Sequence, residues 1–192
     1  NVPEPTSGFM AGSIERFEYM TEWANGAEFE GFEVAPPTRV KGLATNGVFT
    51  VSCIIRGATN LCVDIYENPQ YVHDLLDYVT DAVIARVKGL RAYFGEKWPE
   101  LGHHVDPVSW GHDDDSIQLI SSDTYREFVL PRQKRLLSTL AAGGGPHPIH
   151  LCGDAARHFP TLVEELNIGS FDTGFPIDFD WVRENVGPDI EI

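Results

Sequence analysis

The sequence predicts an α/β fold: part of a (β/α)8 TIM-barrel with about five parallel strands and its helices on the outside. Three observations carry this. Short apolar runs alternate with helix-period stretches from Arg39 onward, and the links between them are short. The last two strand–helix units span only about 20 residues each, tight as barrel units are. A closed eight-stranded barrel takes roughly 200–250 residues. The chain has 192 residues, no initiator Met and too few strands to close a barrel, and it stops on a strand. It is therefore expected to be a fragment of something longer.

Residues 1–38 are rich in Pro, Gly and Glu. They are expected to be an irregular N-terminal segment with one short helix around Ile14–Trp23, ahead of an incomplete barrel domain over 39–192. Within that domain, Val40–Thr45 reads as a strand, and Phe49–Ile55 and Leu61–Tyr66 as short helices flanking Gly57. The clearest helix runs from Pro69 to about Phe94. Asn68 can cap it, Pro69 needs no amide partner at the first position, and Gly95 can close it. Its apolar stripe is Val72, Leu75, Leu76, Val79, Val83, Val87 and Leu90. A strand at Val105–Gly111 and an acidic loop follow. A helix then opens at Ser121 or Ser122, kinks at Pro131 and resumes its stripe at Leu136, Leu137 and Leu140. A strand at Pro148–Cys152, a helix capped by Asp154, a strand at Ile168–Thr173, a helix at Asp178–Asn185 and a strand at Asp189–Ile192 complete the pattern. An open parallel sheet has unpaired edges, so self-association is expected to cover them.

Composition narrows the function classes. A formal net charge of −15, with 14 Lys+Arg, leaves too little positive charge for phosphate backbones or anionic lipid surfaces, so neither nucleic acid nor membrane partners are expected. Three cysteines are too few and too odd for a disulfide framework, which points to a reducing, cytoplasmic setting.

The segment His147-Pro148-Ile149-His150-Leu151-Cys152-Gly153-Asp154 is the most informative. Side chains alternate faces along a strand, so Ile149 and Leu151 should point outward to helices while His150 and Cys152 face the barrel axis. Imidazole and thiolate suit a borderline-soft ion such as zinc. On spacing alone, a packed cysteine beside a hydrogen-bonded histidine explains the pair better, because two ligands make no site. Asp113 and Asp114 follow the strand ending near Gly111 and are candidates for acid–base work or cation binding, a set His112 could join; Asp115 is equally well a helix cap. Asp172 is expected to face inward with Ser170 and Ile168, as a substrate contact or a partner that orients His150. Cys53 and Cys62 read as core residues, and His73, His103, His104, His147 and His158 as solvated.

The run from Asp113-Asp114-Asp115 through Tyr125-Arg126-Glu127-Phe128 to Pro131 resembles a segment of the uroporphyrinogen decarboxylase superfamily. Gly47-Val48-Phe49-Thr50, Arg56-Gly57 and Tyr66-Glu67-Asn68-Pro69 are similar to the family's stretch before its long helix. Within the superfamily, His150-Leu151-Cys152-Gly153 resembles the zinc motif of methylcobamide:thiol methyltransferases. That resemblance implies zinc on His150 and Cys152, with a third, cysteine ligand beyond Ile192. It implies a thiol substrate and a methyl donor carried on a corrinoid by a partner protein. Two alternatives stay open: a cofactor-free decarboxylase acting on a porphyrin-like substrate, and an inactive remnant.

Overall fold

The computed structural model describes residues 4–38 and 45–192. The helix α1 (Phe9–Ala24) precedes a two-stranded antiparallel hairpin, β1 (Glu28–Phe29) and β2 (Phe32–Glu33). Helices α2 (Val48–Arg56), α3 (Ala58–Glu67) and α4 (Pro69–Lys97) follow. The remaining elements are β3 (His112–Asp113), α5 (Ser122–Thr124), α6 (Leu130–Leu140), β4 (His147–Leu151), α7 (Phe159–Leu166), β5 (Ile168–Thr173) and α8 (Phe179–Val186). The chain divides into two compact units: residues 1–44 with 85–105, and residues 45–84 with 106–192.

In the first unit, Ile14 and Phe17 of α1 pack on Leu90 and Phe94, and Phe17 meets Trp98 edge-on at 4.9 Å. The helix predicted to stop at Gly95 continues to Lys97. Gly95 serves packing instead: a Cβ there would lie 2.4 Å from the Cβ of His104.

The second unit is built on a parallel sheet in the order β3-β4-β5. Single parallel bridges extend it on both sides, Asn46 to Asp113 and Ser170 to Glu191. Five extended segments thus lie side by side in chain order. Every crossover steps the same way, as in a barrel wall, whereas a doubly wound sheet reverses direction at its middle. Among the described residues the sheet is open and does not close into a barrel. The predicted strand at 40–45 lies almost wholly outside the described residues; only Thr45 falls within them.

Several expectations need correction. The stretch 105–111 is not a strand; pairing begins at His112. Pro107 and Val108 turn their carbonyls to Ala142 N and Gly143 N at 2.7 and 3.1 Å, leaving the sheet to later residues. At the C-terminus only Glu191 bridges, donating to Gly169 O and accepting from Phe171 N, while the Ile190 carbonyl accepts from Arg183. Pro131 is preceded by a π turn over Tyr125–Val129, which accommodates the missing N–H before α6 begins. Ser121 caps the helix as expected, accepting from Thr124 N at 3.1 Å, and Asp178 does the same for α8 from Trp181 N at 3.0 Å. Asp154 caps nothing: a 3-10 turn at Ala156–His158 intervenes, and its carbonyl accepts from Arg157. His147 and His158 are buried, not solvated. No single helix among the described residues is long and apolar enough to cross a membrane.

Candidate metal centre

The strand β4 separates its faces as its alternation requires. Ile149 and Leu151 are 2% and 0% exposed against the helices, while His150 and Cys152 emerge on the open face. In the ladder, Asp113 lies opposite His150 on one side and Asp172 opposite it on the other. All three strands run parallel, so their C-terminal ends share one edge, and the site is assembled there.

His150 Nε2 is 3.1 Å from Cys152 Sγ and 3.7 Å from Asp115 Oδ1. The donor atoms of Asp115, His150 and Cys152 all fall within 4.8 Å of one another, a grouping that can hold a metal ion. His150 Nδ1 is 2.8 Å from Asp172 Oδ2. A carboxylate only accepts, so Nδ1 is the donor in that contact, and the ring turns its Nε2 toward Cys152 and Asp115. Asp115 Oδ1 also accepts from the backbone amide of Cys152 at 2.6 Å, which ties the acidic loop to the end of β4.

The electrostatics point the same way. The hydrogen bond that His150 donates to Asp172, and then the charges of Asp172, Asp115 and Asp113, raise the His150 pKa above its usual value. Asp115 is also the largest influence raising the Cys152 thiol. Negative charge at the site thus favours the protonated form of both groups, and a divalent ion would supply the positive charge that the carboxylates favour.

The sequence-predicted residues separate into two groups. His150, Cys152 and Asp172 meet, and Asp113 stands exposed beside them. Asp114 points the other way and is 0% exposed. Its carboxylate accepts from Thr50 N, Thr50 Oγ1 and Gln133 Nε2, each at 2.9 Å, and its amide donates to His150 O at 3.2 Å. Tyr125 hydroxyl donates to the other end of the Gln133 amide. Gly47 makes room for the carboxylate, since a Cβ there would lie 2.2 Å from Asp114 Cγ. Burial pushes the Asp114 pKa up to about 6. Asp114 thus anchors the loop that presents Asp115.

Asp115 is the residue sequence reasoning left out of the site. The signal was present: Asp115 is two residues beyond Asp113, itself in register with His150. His112, next to Asp113 in this run, is 2% exposed and stacks on Trp110 at 5.6 Å. Asp172 does share the face of His150, but Ile168 does not. The register shifts between His147 and Pro148, so Ile168 pairs with buried His147 while Ser170 pairs with Pro148. Cys53 is buried in α2, and burial pushes its thiol up to about 11, well above a ligating or nucleophilic range.

Fold and site together define a parallel α/β domain with a candidate metal centre at the C-terminal edge of its sheet. The chain belongs to the uroporphyrinogen decarboxylase (URO-D) family, whose family model matches residues 40–191. It is 32% identical over 149 residues to a methylated-thiol–coenzyme M methyltransferase of Methanosarcina mazei, a match covering 75% of this chain and 35% of that protein. A solved methyltransferase from Methanosarcina mazei superposes with a TM-score of 0.63 at 17% identity, covering 97% of this chain and 49% of that one. The chain thus spans about a third of the curated relative's length.

Proposed function

We propose that this chain carries the zinc-binding part of a corrinoid-dependent thiol methyltransferase. The reaction is transfer of a methyl group, brought on a corrinoid by a partner protein, to a small-molecule thiol. One observation carries the reading: Asp115, His150 and Cys152 converge from two neighbouring strand ends with their donor atoms within 4.8 Å. The methyltransferase relative supports it, because its name records a methylated thiol as substrate.

The donor set fits zinc. Two bonds of about 2.0–2.3 Å meeting at a tetrahedral angle place their donor atoms roughly 3.3–3.8 Å apart. The His150–Cys152 and His150–Asp115 separations of 3.1 and 3.7 Å lie close to that. Imidazole nitrogen, thiolate sulfur and carboxylate oxygen are each zinc donors, and three protein ligands leave a fourth position open. Asp115 therefore offers within this chain the third ligand that the family resemblance placed beyond Ile192.

Zinc held there would supply a Lewis acid that keeps a substrate thiol ionised at neutral pH. The chain's own residues do the rest. Asp172 fixes the ring of His150 and the tautomer that presents Nε2. Asp114, locked by Thr50 and Gln133, sets the position of the loop bearing Asp115. Asp113 adds negative charge at the exposed mouth.

Metal analysis after equilibration with zinc tests the reading. One zinc per chain is expected, lost in His150→Ala and in Cys152→Ala. A metal-free chain that decarboxylates a porphyrinogen would overturn it.

A further inference from the structure

The three candidate ligands are not held in the same way. His150 lies within β4 and Cys152 follows its last residue, so the sheet fixes both. Asp115 opens a 3-10 turn over Asp115–Leu119, beyond the last paired residue of β3. Its place beside the other two therefore depends on what holds that turn.

The turn is fastened at both ends. Before it, Asp114 is locked by Thr50 and Gln133. At its far end, the closing carbonyls of a helical turn lack amide partners further along the chain, and here the entrance to α7 supplies them. The Arg157 guanidinium donates to Gln118 O, and also to Ile120 O from Nε at 3.3 Å and from Nη2 at 3.2 Å. Beside it, His158 Nε2 donates to Ile117 O at 3.0 Å. Arg157 Nη1 reaches the other segment: it donates to Asp154 O at 2.6 Å, with Asp154 Oδ1 at 3.9 Å. Asp154 is two residues beyond Cys152. One guanidinium thus joins the turn that begins with Asp115 to the segment that leaves Cys152. Its planar fork of donors can bridge several acceptors at once, which a lysine ammonium on a flexible stem does not reproduce. Across the same gap, Cys152 N donates to Asp115 Oδ1 at 2.6 Å.

We propose that Arg157 is a positioning residue of the metal centre, holding the Asp115 turn against the Cys152 segment so that Asp115 is presented as the third ligand. This rests on the metal reading above. Without the guanidinium, His150 and Cys152 keep their places on the sheet, whereas the turn loses its tie to the segment after Cys152. Arg157 acts through Asp115, so its effect on metal binding depends on the Asp115 carboxylate being there.

The test measures cobalt(II) affinity of the full chain by competition with a chromogenic chelator. It compares wild type, Arg157→Met, Asp115→Asn and the double variant, with the cobalt absorption spectrum recorded at saturation. Losing a contact that orients a metal ligand weakens metal binding by about 10- to 100-fold, and that loss is expected in Arg157→Met. In the Asp115→Asn background the same substitution should cost about twofold or less, because the ligand it positions is already gone. The ligand-field bands of Arg157→Met should move toward those of Asp115→Asn, while the charge-transfer band of the Cys152 thiolate stays. Arg157→Lys keeps the charge without the fork; its affinity should fall between wild type and Arg157→Met, and it stands in should Arg157→Met not fold. Equal losses in the two backgrounds, or wild-type affinity in both Arg157 variants, overturn the inference while leaving the metal reading intact. Wild-type affinity in Asp115→Asn overturns it as well, leaving His150 and Cys152 as ligands. A wild-type chain that takes up no cobalt overturns the metal reading and this inference with it.

Discussion

Replacing Asp114 by Asn should change how the stability of the metal-free chain depends on pH. The carboxyl is fully buried, and burial lifts its pKa from 3.8 to about 6 despite three hydrogen bonds from Thr50 and Gln133. A carboxyl with a raised folded pKa binds its proton more tightly in the folded state. Between pH 3.8 and about 6 the folded chain keeps that proton and the unfolded chain does not, so stability falls as pH rises through this window. At about 1.4 kcal/mol per pH unit, the whole effect is about 3 kcal/mol. The buried imidazoles of His112 and His158 act oppositely. Burial depresses both to about 4, so each costs stability as pH falls from 6.5 toward 4. The informative quantity is therefore the difference between wild type and Asp114→Asn, in which the histidine contributions cancel. Urea denaturation at half-unit steps from pH 4 to 8, in the presence of a chelator, measures it. Relative to Asp114→Asn, wild type should lose about 3 kcal/mol across the window and nothing above pH 7. Adding Gln133→Glu restores a carboxylate on the other side of the same hydrogen bond, and should bring a titration back. Parallel pH profiles for wild type and Asp114→Asn would refute the reasoning.

Other outcomes follow from the same contacts. Asp172→Asn removes the carboxylate that holds His150 Nδ1, and should weaken cobalt(II) affinity by about 10- to 100-fold with little change in thermal stability, measured by competition with a chromogenic chelator. Gly47→Ala pushes a methyl to within 2.2 Å of Asp114 Cγ and should cost about 1–3 kcal/mol in urea denaturation. Ser121→Ala deletes the cap on Thr124 N and should cost about 1 kcal/mol. His112, 2% exposed with neither ring nitrogen hydrogen-bonded, should stay neutral down to about pH 4 in an NMR titration; a midpoint near 6.5 would show the ring reaching water.

The sheet was legible where side-chain alternation was clean. Ile149 and Leu151 against His150 and Cys152 fixed both the face and the end of β4, and β5 matched its predicted bounds at Ile168–Thr173. What escaped were features settled by non-local partners. The start of β3 moved to His112 because Pro107 and Val108 bond the chain after α6. The face of Ile168 moved because one register shift against β4 reversed its parity. Asp114 and Asp115 are neighbours of one type, and only the Thr50 amide and hydroxyl with the Gln133 amide, 64 and 19 residues away in sequence, decide that Asp114 turns into the core and Asp115 to the site. A run of three aspartates announces charge at a strand end. It does not say which carboxylate the fold will bury.

X-ray absorption of the zinc-loaded chain tests the central claim most directly. The account predicts one sulfur from the chain at about 2.3 Å, with the remaining scatterers nitrogen or oxygen at about 2.0–2.2 Å, and a second sulfur appearing on addition of a thiol. A shell made only of nitrogen and oxygen, unchanged by thiol, would contradict it, since Cys152 and the open ligand position would then both have been misassigned.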